Sequence, residues 1–169
     1  MLIIKPLITA TVLMISLAIN AQTCNPNMTD GRQNNRYTDK GDGTILDKFT
    51  KLIWKKCAQG LSGDDCATGS VAIINWQQAL QQANNSTFAG KSDWRLPNIK
   101  ELSSLVRHNC YVPAINEALF PNADNGGFWS SSPFLSRSNE VWVVIFGDGG
   151  GHGNHYANGG NVRLVRSGQ

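Results

Sequence analysis

The hydrophobic pattern of the chain changes period along its length, and each change predicts an element. Residues 36–56 hold short apolar runs separated by polar turns. Arg36-Tyr37-Thr38, Thr44-Ile45-Leu46 and Leu52-Ile53-Trp54 predict a meander of short strands. Asp42-Gly43 is a hairpin turn signal, because both residue types tolerate positive φ. The period then becomes helical. Trp76, Ala79, Leu80 and Ala83 stand at i, i+3, i+4 and i+7, one apolar face. Asn75 caps that helix, Gln78 completes a capping box, and Asn84-Asn85 ends it. A second helix is predicted from Asn98 behind Pro97, with Glu101 at the box position. Ile99, Leu102, Leu105 and Val106 form its buried face. Pro113 and Pro121 bracket a segment with room for one or two helical turns. Strand returns at Phe128-Trp129-Ser130-Ser131-Ser132. Val141 to Phe146 is apolar on both faces, which predicts a central strand. Residues 147–160 hold seven glycines and predict a long flexible loop, and Val162 to Arg166 predicts a last strand. Strands, two helices, then strands make an α+β chain.

Composition narrows this picture. The chain has 169 residues, with 15 Lys+Arg against 12 Asp+Glu and a formal charge of +3. That length predicts one domain, and that charge is too small to point to nucleic acid. Glycine and asparagine each number 17, which predicts many turns. Lys5 precedes a nearly uninterrupted apolar run from Leu7 to Ile19, the layout of a secretory signal over residues 1–21. Ala21 and Ala18 are the two candidate cleavage points. The run is too short for a membrane span. Ala21-Gln22-Thr23, before Cys24, lack the residues that lipid attachment needs. The expectation is an exported domain, 22–169, that is secreted, periplasmic or at the cell surface.

Four cysteines in an exported chain predict two disulfides, for which three connectivities exist. Cys57 and Cys66 enclose a short, polar, glycine-containing loop that closes easily. Pairing them leaves Cys24 with Cys110. There is no Cys-x-x-Cys pair, and two imidazoles, His152 and His155 with Asp148 and Tyr156 nearby, are too few for a tight metal site. Asp39, Asp42 and Asp47 lack EF-hand spacing and predict turn chemistry. No nucleophile elbow and no phosphate-cradling glycine motif occurs. Neither a metal nor a cofactor is expected.

Asp93-Trp94-Arg95-Leu96-Pro97-Asn98-Ile99-Lys100-Glu101-Leu102 resembles the signature of the Lcl C-terminal domain family, named after a bacterial collagen-like adhesin. The resemblance runs through Arg36-Tyr37, Asp42-Gly43-Thr44, Leu52-Ile53-Trp54 with Cys57, and Trp76 with Ala79. It continues through Phe128-Trp129-Ser130-Ser131, Val141-Trp142 and Val162-Arg163-Leu164-Val165-Arg166. It implies a module that binds sulfated glycosaminoglycans and acts as a trimer, although this chain has no collagen-like repeat. The layout is also similar to C-type-lectin-like folds, in which the first and last strands pair and two helices flank a mostly antiparallel core. The formylglycine-generating enzyme branch of that layout depends on a late cysteine pair. No cysteine follows Cys110 here, which argues against an enzyme. The Trp-Asn-Asp calcium motif of sugar-binding lectins is also missing.

Within the signature, Trp94 and Leu96 are expected to be structural, Pro97 to start a helix, and Arg95 to pair with Glu101 or Asp93. The densest basic run is Lys48, Lys51, Lys55 and Lys56, the candidate contacts for an anionic glycan. Strand alternation puts Lys51 and Lys55 on one face and Lys56 on the other. Arg163 and Arg166 join the patch if the terminal strands pair. The leading expectation is an exported, non-enzymatic adhesion module for an anionic, sulfated glycan. The alternative is an accessory component of a surface assembly that meets protein through its loops.

Overall fold

The computed structural model describes residues 22–28 and 35–168, so the predicted signal segment, 1–21, lies outside the described residues. The described chain is sheet-rich, with two helices, antiparallel sheets and two disulfides. At its start, β1 (Thr23–Cys24) pairs antiparallel with β7 (Cys110–Tyr111). Cys24 faces Cys110 in that register, and the two are disulfide-bonded.

The predicted meander is β2 (Tyr37–Asp39), β3 (Thr44–Asp47) and β4 (Leu52–Lys55). The last strand, β11 (Val165–Ser167), lies beside β4, giving the order β11-β4-β3-β2. The first and last strands therefore do not pair: β1 lies beside β7, and within this sheet β2 and β11 occupy opposite edges. In the β2–β3 turn, positive φ falls on Gly41 and Gly43, not on Asp42. Asp42 instead accepts a hydrogen bond from the Thr44 amide at 3.0 Å. Val162, Arg163 and Leu164 stay out of the ladder, yet all three are buried. Their stretch reaches β4 and the following turn through Lys55 N–H to Leu164 O and Gln59 N–H to Val162 O.

A small hairpin, β5 (Leu61–Ser62) and β6 (Thr68–Gly69), forms around the Cys57–Cys66 disulfide. Both helices start at the capping boxes the sequence carries. In α1 (Trp76–Asn84), Asn75 and Gln78 bond reciprocally, and Ala79 and Ala83 are its buried residues. In α2 (Ile99–Ser103), Asn98 and Glu101 do the same. This helix is shorter than its apolar face. The Ser104 hydroxyl donates to Glu101 O at 2.6 Å, and Leu105 and Val106 reach the core from a following turn. Such side-chain bonds compete with helix continuation. The Pro113–Pro121 segment forms turns, in which Leu119 N–H and Phe120 N–H both bond to Asn116 O.

The second sheet is β8 (Gly127–Pro133), β9 (Glu140–Ile145) and β10 (Gly150–His155), in the order β10-β9-β8. Its edge corrects an expectation. The glycine-rich stretch predicted as a loop contains β10, which pairs with β9 from Gly150 opposite Ile145 to His155 opposite Glu140. Glycine carries no strand pattern, but here it fits where a side chain would not. A Cβ on Gly153 would lie 3.1 Å from the Phe134 ring and against the Glu140 carboxylate.

Two buried clusters fill the interior. One holds Ile45, Trp54, Leu102, Phe120, Phe128 and Phe146. The other packs Trp94, Leu96, Trp129, Val143 and Leu164 against Ala79 and Ala83 of α1. No helix among the described residues is long and apolar enough to cross a membrane.

Candidate functional site

The signature residues tie the entry of α2 to the sheets. Arg95 donates two hydrogen bonds to the Glu101 carboxylate, both 2.8 Å, and the same carboxylate accepts the Asn98 amide at 2.8 Å. Burial works to raise the Glu101 carboxyl, but the bonds from Arg95 and Asn98 outweigh it and hold it below its usual range. Trp94 is buried and donates its ring N–H to Phe88 O at 3.0 Å. Leu96 and Pro97 are buried, and Pro97 O accepts the Ser131 amide of β8. These contacts account for the signature as architecture.

The cations are placed differently from the single patch that the sequence invites. Arg163 is 1% exposed. Its guanidinium lies 4.8 Å from the Phe120 ring centre and 5.6 Å from that of Phe128. Nη1 donates to the backbone oxygens of Lys55 and Lys56, while Nε and Nη2 have no partner among the described residues. Burial pushes this group down to about 9, so it stays charged at neutral pH. Arg163 is therefore an interior cation and leaves the surface patch, because the 162–164 stretch runs through the core. Arg166 is 8% exposed and donates from Nε to Asp93 at 2.7 Å, so it too is committed.

The lysine run divides. Lys56 is paired with Asp39 at 2.8 Å. Lys55 donates to Gln59 Oε1 at 3.0 Å and sits 4.7 Å from the Phe88 ring centre. Burial, and then repulsion from Arg163, lowers its ammonium pKa. Lys51 precedes β4, with φ of 63°, so strand alternation does not extend to it. Four residues of strand separate it from Lys55 by roughly 13 Å. Lys48 and Lys51 are both exposed.

These two lysines flank a residue that sequence reasoning passed over. Phe49 is 84% exposed, at the tip of the β3–β4 turn. The turn is anchored from below by Asp47, whose side chain is inaccessible to solvent. Its carboxylate accepts Arg36 Nε at 2.9 Å, the Phe49 amide at 3.0 Å and the Thr50 hydroxyl at 2.6 Å. Arg36 Nη2 completes a forked pair. Burial works to raise the Asp47 carboxyl, but the bonds from Arg36, Thr50 and Phe49 outweigh it and the net shift is downward. The Lys51 amide closes the turn on Asp47 O at 2.8 Å. The result is a braced tip whose exposed ring is flanked in sequence by two exposed lysines, with the Arg36 guanidinium 5.9 Å from the ring centre. Such a tip can stack against a sugar ring and neutralise an anion on it. An aromatic residue inside a four-residue polar turn, Lys48-Phe49-Thr50-Lys51, was the available signal.

A concave feature of about 590 Å³ lies along α1. Gln78, Gln81, Gln82 and Asn85 line one side. Ser86, Thr87 and Phe88 close the end beyond the helix, and Lys55, Gln59 and Ile74 complete the wall. Gln82 Oε1 is buried without a donor, a state that costs about 1–3 kcal/mol when nothing fills it.

His152 and His155 sit on β10. His152 Nε2 is 4.0 Å from Asp148, and the His155 ring stacks on Tyr156 at 4.6 Å. Among the described residues, no group of three or more His, Cys, Asp or Glu side chains is placed to hold a metal ion.

The family model of the Lcl C-terminal domain matches residues 43–166, from the end of the β2–β3 turn to the last strand. No curated protein matches the chain. The matched span includes both capped helices, the Arg95–Glu101 pair and the buried tryptophans 54, 94 and 129. The chain belongs to the Lcl C-terminal domain family.

Proposed function

We propose that this protein is an exported, non-enzymatic, adhesin-like module that binds an anionic glycan through the β3–β4 tip. The observation that carries this reading is Phe49, 84% exposed in a braced turn that has the exposed lysines Lys48 before it and Lys51 after it. An apolar ring costs free energy to expose, and here the chain braces it outward with a buried, fully bonded carboxylate. Rings of this kind stack on the apolar faces of sugars, and the flanking ammonium groups take sulfate or carboxylate. Two disulfides fit an oxidising compartment, which supports export. A C-type-lectin-like layout is part of the same proposal. It is supported by the last strand returning to the early sheet, beside β4 in place of the first strand, with both helices lying between the two in sequence.

Each exposed charge contributes little by itself, so a single tip binds weakly and several copies are needed for firm attachment. A homotrimer would supply them. A glycan array probed at low and physiological salt tests the reading. Sulfated glycosaminoglycans should bind at low salt and lose most of their signal at physiological salt, because screening weakens exposed ion pairs. An absence of signal on every sulfated glycan at low salt would overturn the proposal and favour an accessory, protein-contacting role.

A further inference from the structure

The groove along α1 has a chemistry unlike that of the tip. Gln78, Gln81 and Gln82 project from the helix at i, i+3 and i+4, and Asn85 follows at i+7 as its C-cap. This spacing sets four side-chain amides in one row. An amide offers both donors and an acceptor; at Gln78 the oxygen is taken by the Asn75 amide of the capping box, which leaves its donors. No carboxylate lines the groove. Its one cation, Lys55, is already engaged by Gln59 and the Phe88 ring.

The geometry points to a binding site for an uncharged, hydroxyl-rich saccharide, a short segment of neutral oligosaccharide, laid along the amide row of α1. Hydroxyl groups donate and accept at the same atom, as side-chain amides require. The volume of about 590 Å³ falls within the usual range of small-ligand sites. Ile74 and Phe88 supply apolar wall for the C–H faces of the rings. An extended peptide fits less well. It seeks an open strand edge for its backbone, and this wall is made of side chains on a helix. The inference does not depend on the anionic reading of the tip, because it uses other residues and an uncharged ligand.

Side-chain amide signals give a direct test. The purified protein, labelled with ¹⁵N, is titrated separately with maltotriose, cellotriose and tri-N-acetylchitotriose, then with a heparin tetrasaccharide and an uncharged Gly-Ser hexapeptide. At least one neutral trisaccharide should shift the side-chain amide signals of Gln78, Gln81, Gln82 and Asn85 saturably, with no dependence on salt. Gln81→Ala with Asn85→Ala should weaken that binding by about tenfold or more, the loss expected for two hydrogen-bonding groups. Gln81→Ala alone, at an exposed position outside the capping box, gives the same test in a second variant. Lys48→Glu with Lys51→Glu should leave the titration unchanged. No shift with any of the three neutral sugars overturns the inference, as does unchanged affinity in the amide variants. Shifts caused only by the heparin fragment, or only by the peptide, also overturn it, by assigning the groove to an anion or to a peptide.

Discussion

At Asp47 the donors of Arg36, Phe49 and Thr50 converge on one carboxylate closed to solvent. Removing one partner of a buried ion pair leaves the other charge uncompensated, which typically costs about 3–5 kcal/mol. Asp47→Asn should therefore lose about that much in urea unfolding at neutral pH. It should also loosen the Phe49 tip that the carboxylate braces. The pH dependence follows from the sign of the shift. The folded carboxyl lies below its ordinary value of 3.8. Its contribution is then full above pH 3.8 and is lost as pH falls through the lower folded value. Parent and Asp47→Asn stabilities should converge as acid is added. A gap that stays constant down through that range would mean that the charge of Asp47 is not what holds the turn.

The elements differ in how much of them can be read from residues in order. Asn75 with Gln78, and Asn98 with Glu101, are local instructions, and both helices start where those residues stand. The early strands are as legible, since Ile45-Leu46 and Leu52-Ile53-Trp54 are short apolar runs bounded by polar turns. β10 was not legible. Its six residues, Gly150-Gly151-His152-Gly153-Asn154-His155, have no apolar alternation, and its pairing is imposed by β9. Close approach explains the glycine at 153, where an added Cβ meets Phe134 and Glu140. Gly153→Val should thus cost about 1–3 kcal/mol through overpacking. The same substitution in a mobile loop would cost almost nothing. Urea unfolding distinguishes the two, and an unchanged midpoint would return this stretch to a loop.

At the scale of the whole molecule, the two crosslinks act over very different lengths of chain. Cys24 and Cys110 are 86 residues apart, and Cys57 and Cys66 are 9 apart. In the chain-entropy model the long link contributes about 4–5 kcal/mol and the short one about 2–3 kcal/mol. Replacing Cys24 and Cys110 with serine should therefore lower the unfolding free energy more than replacing Cys57 and Cys66. The reverse order would show that the short loop carries strain relief or packing outside that model. The same long-range folding explains why the site was only partly legible. The cations were visible as charges, but groups that claim them come from far along the chain: Asp39 for Lys56, Phe88 for Lys55, and Asp93 for Arg166. Once those are committed, Lys48 and Lys51 stand with Phe49 at an outward tip. The central claim is that this tip holds an anionic glycan. It is tested most directly on a heparin column at low salt, comparing the parent with Lys48→Glu/Lys51→Glu and with a control of equal charge change, Lys91→Glu/Lys100→Glu, at exposed positions outside the tip. The account predicts that the parent and the control are retained and that the tip variant flows through. A tip variant eluting with the parent, or a control that loses retention equally, would contradict it.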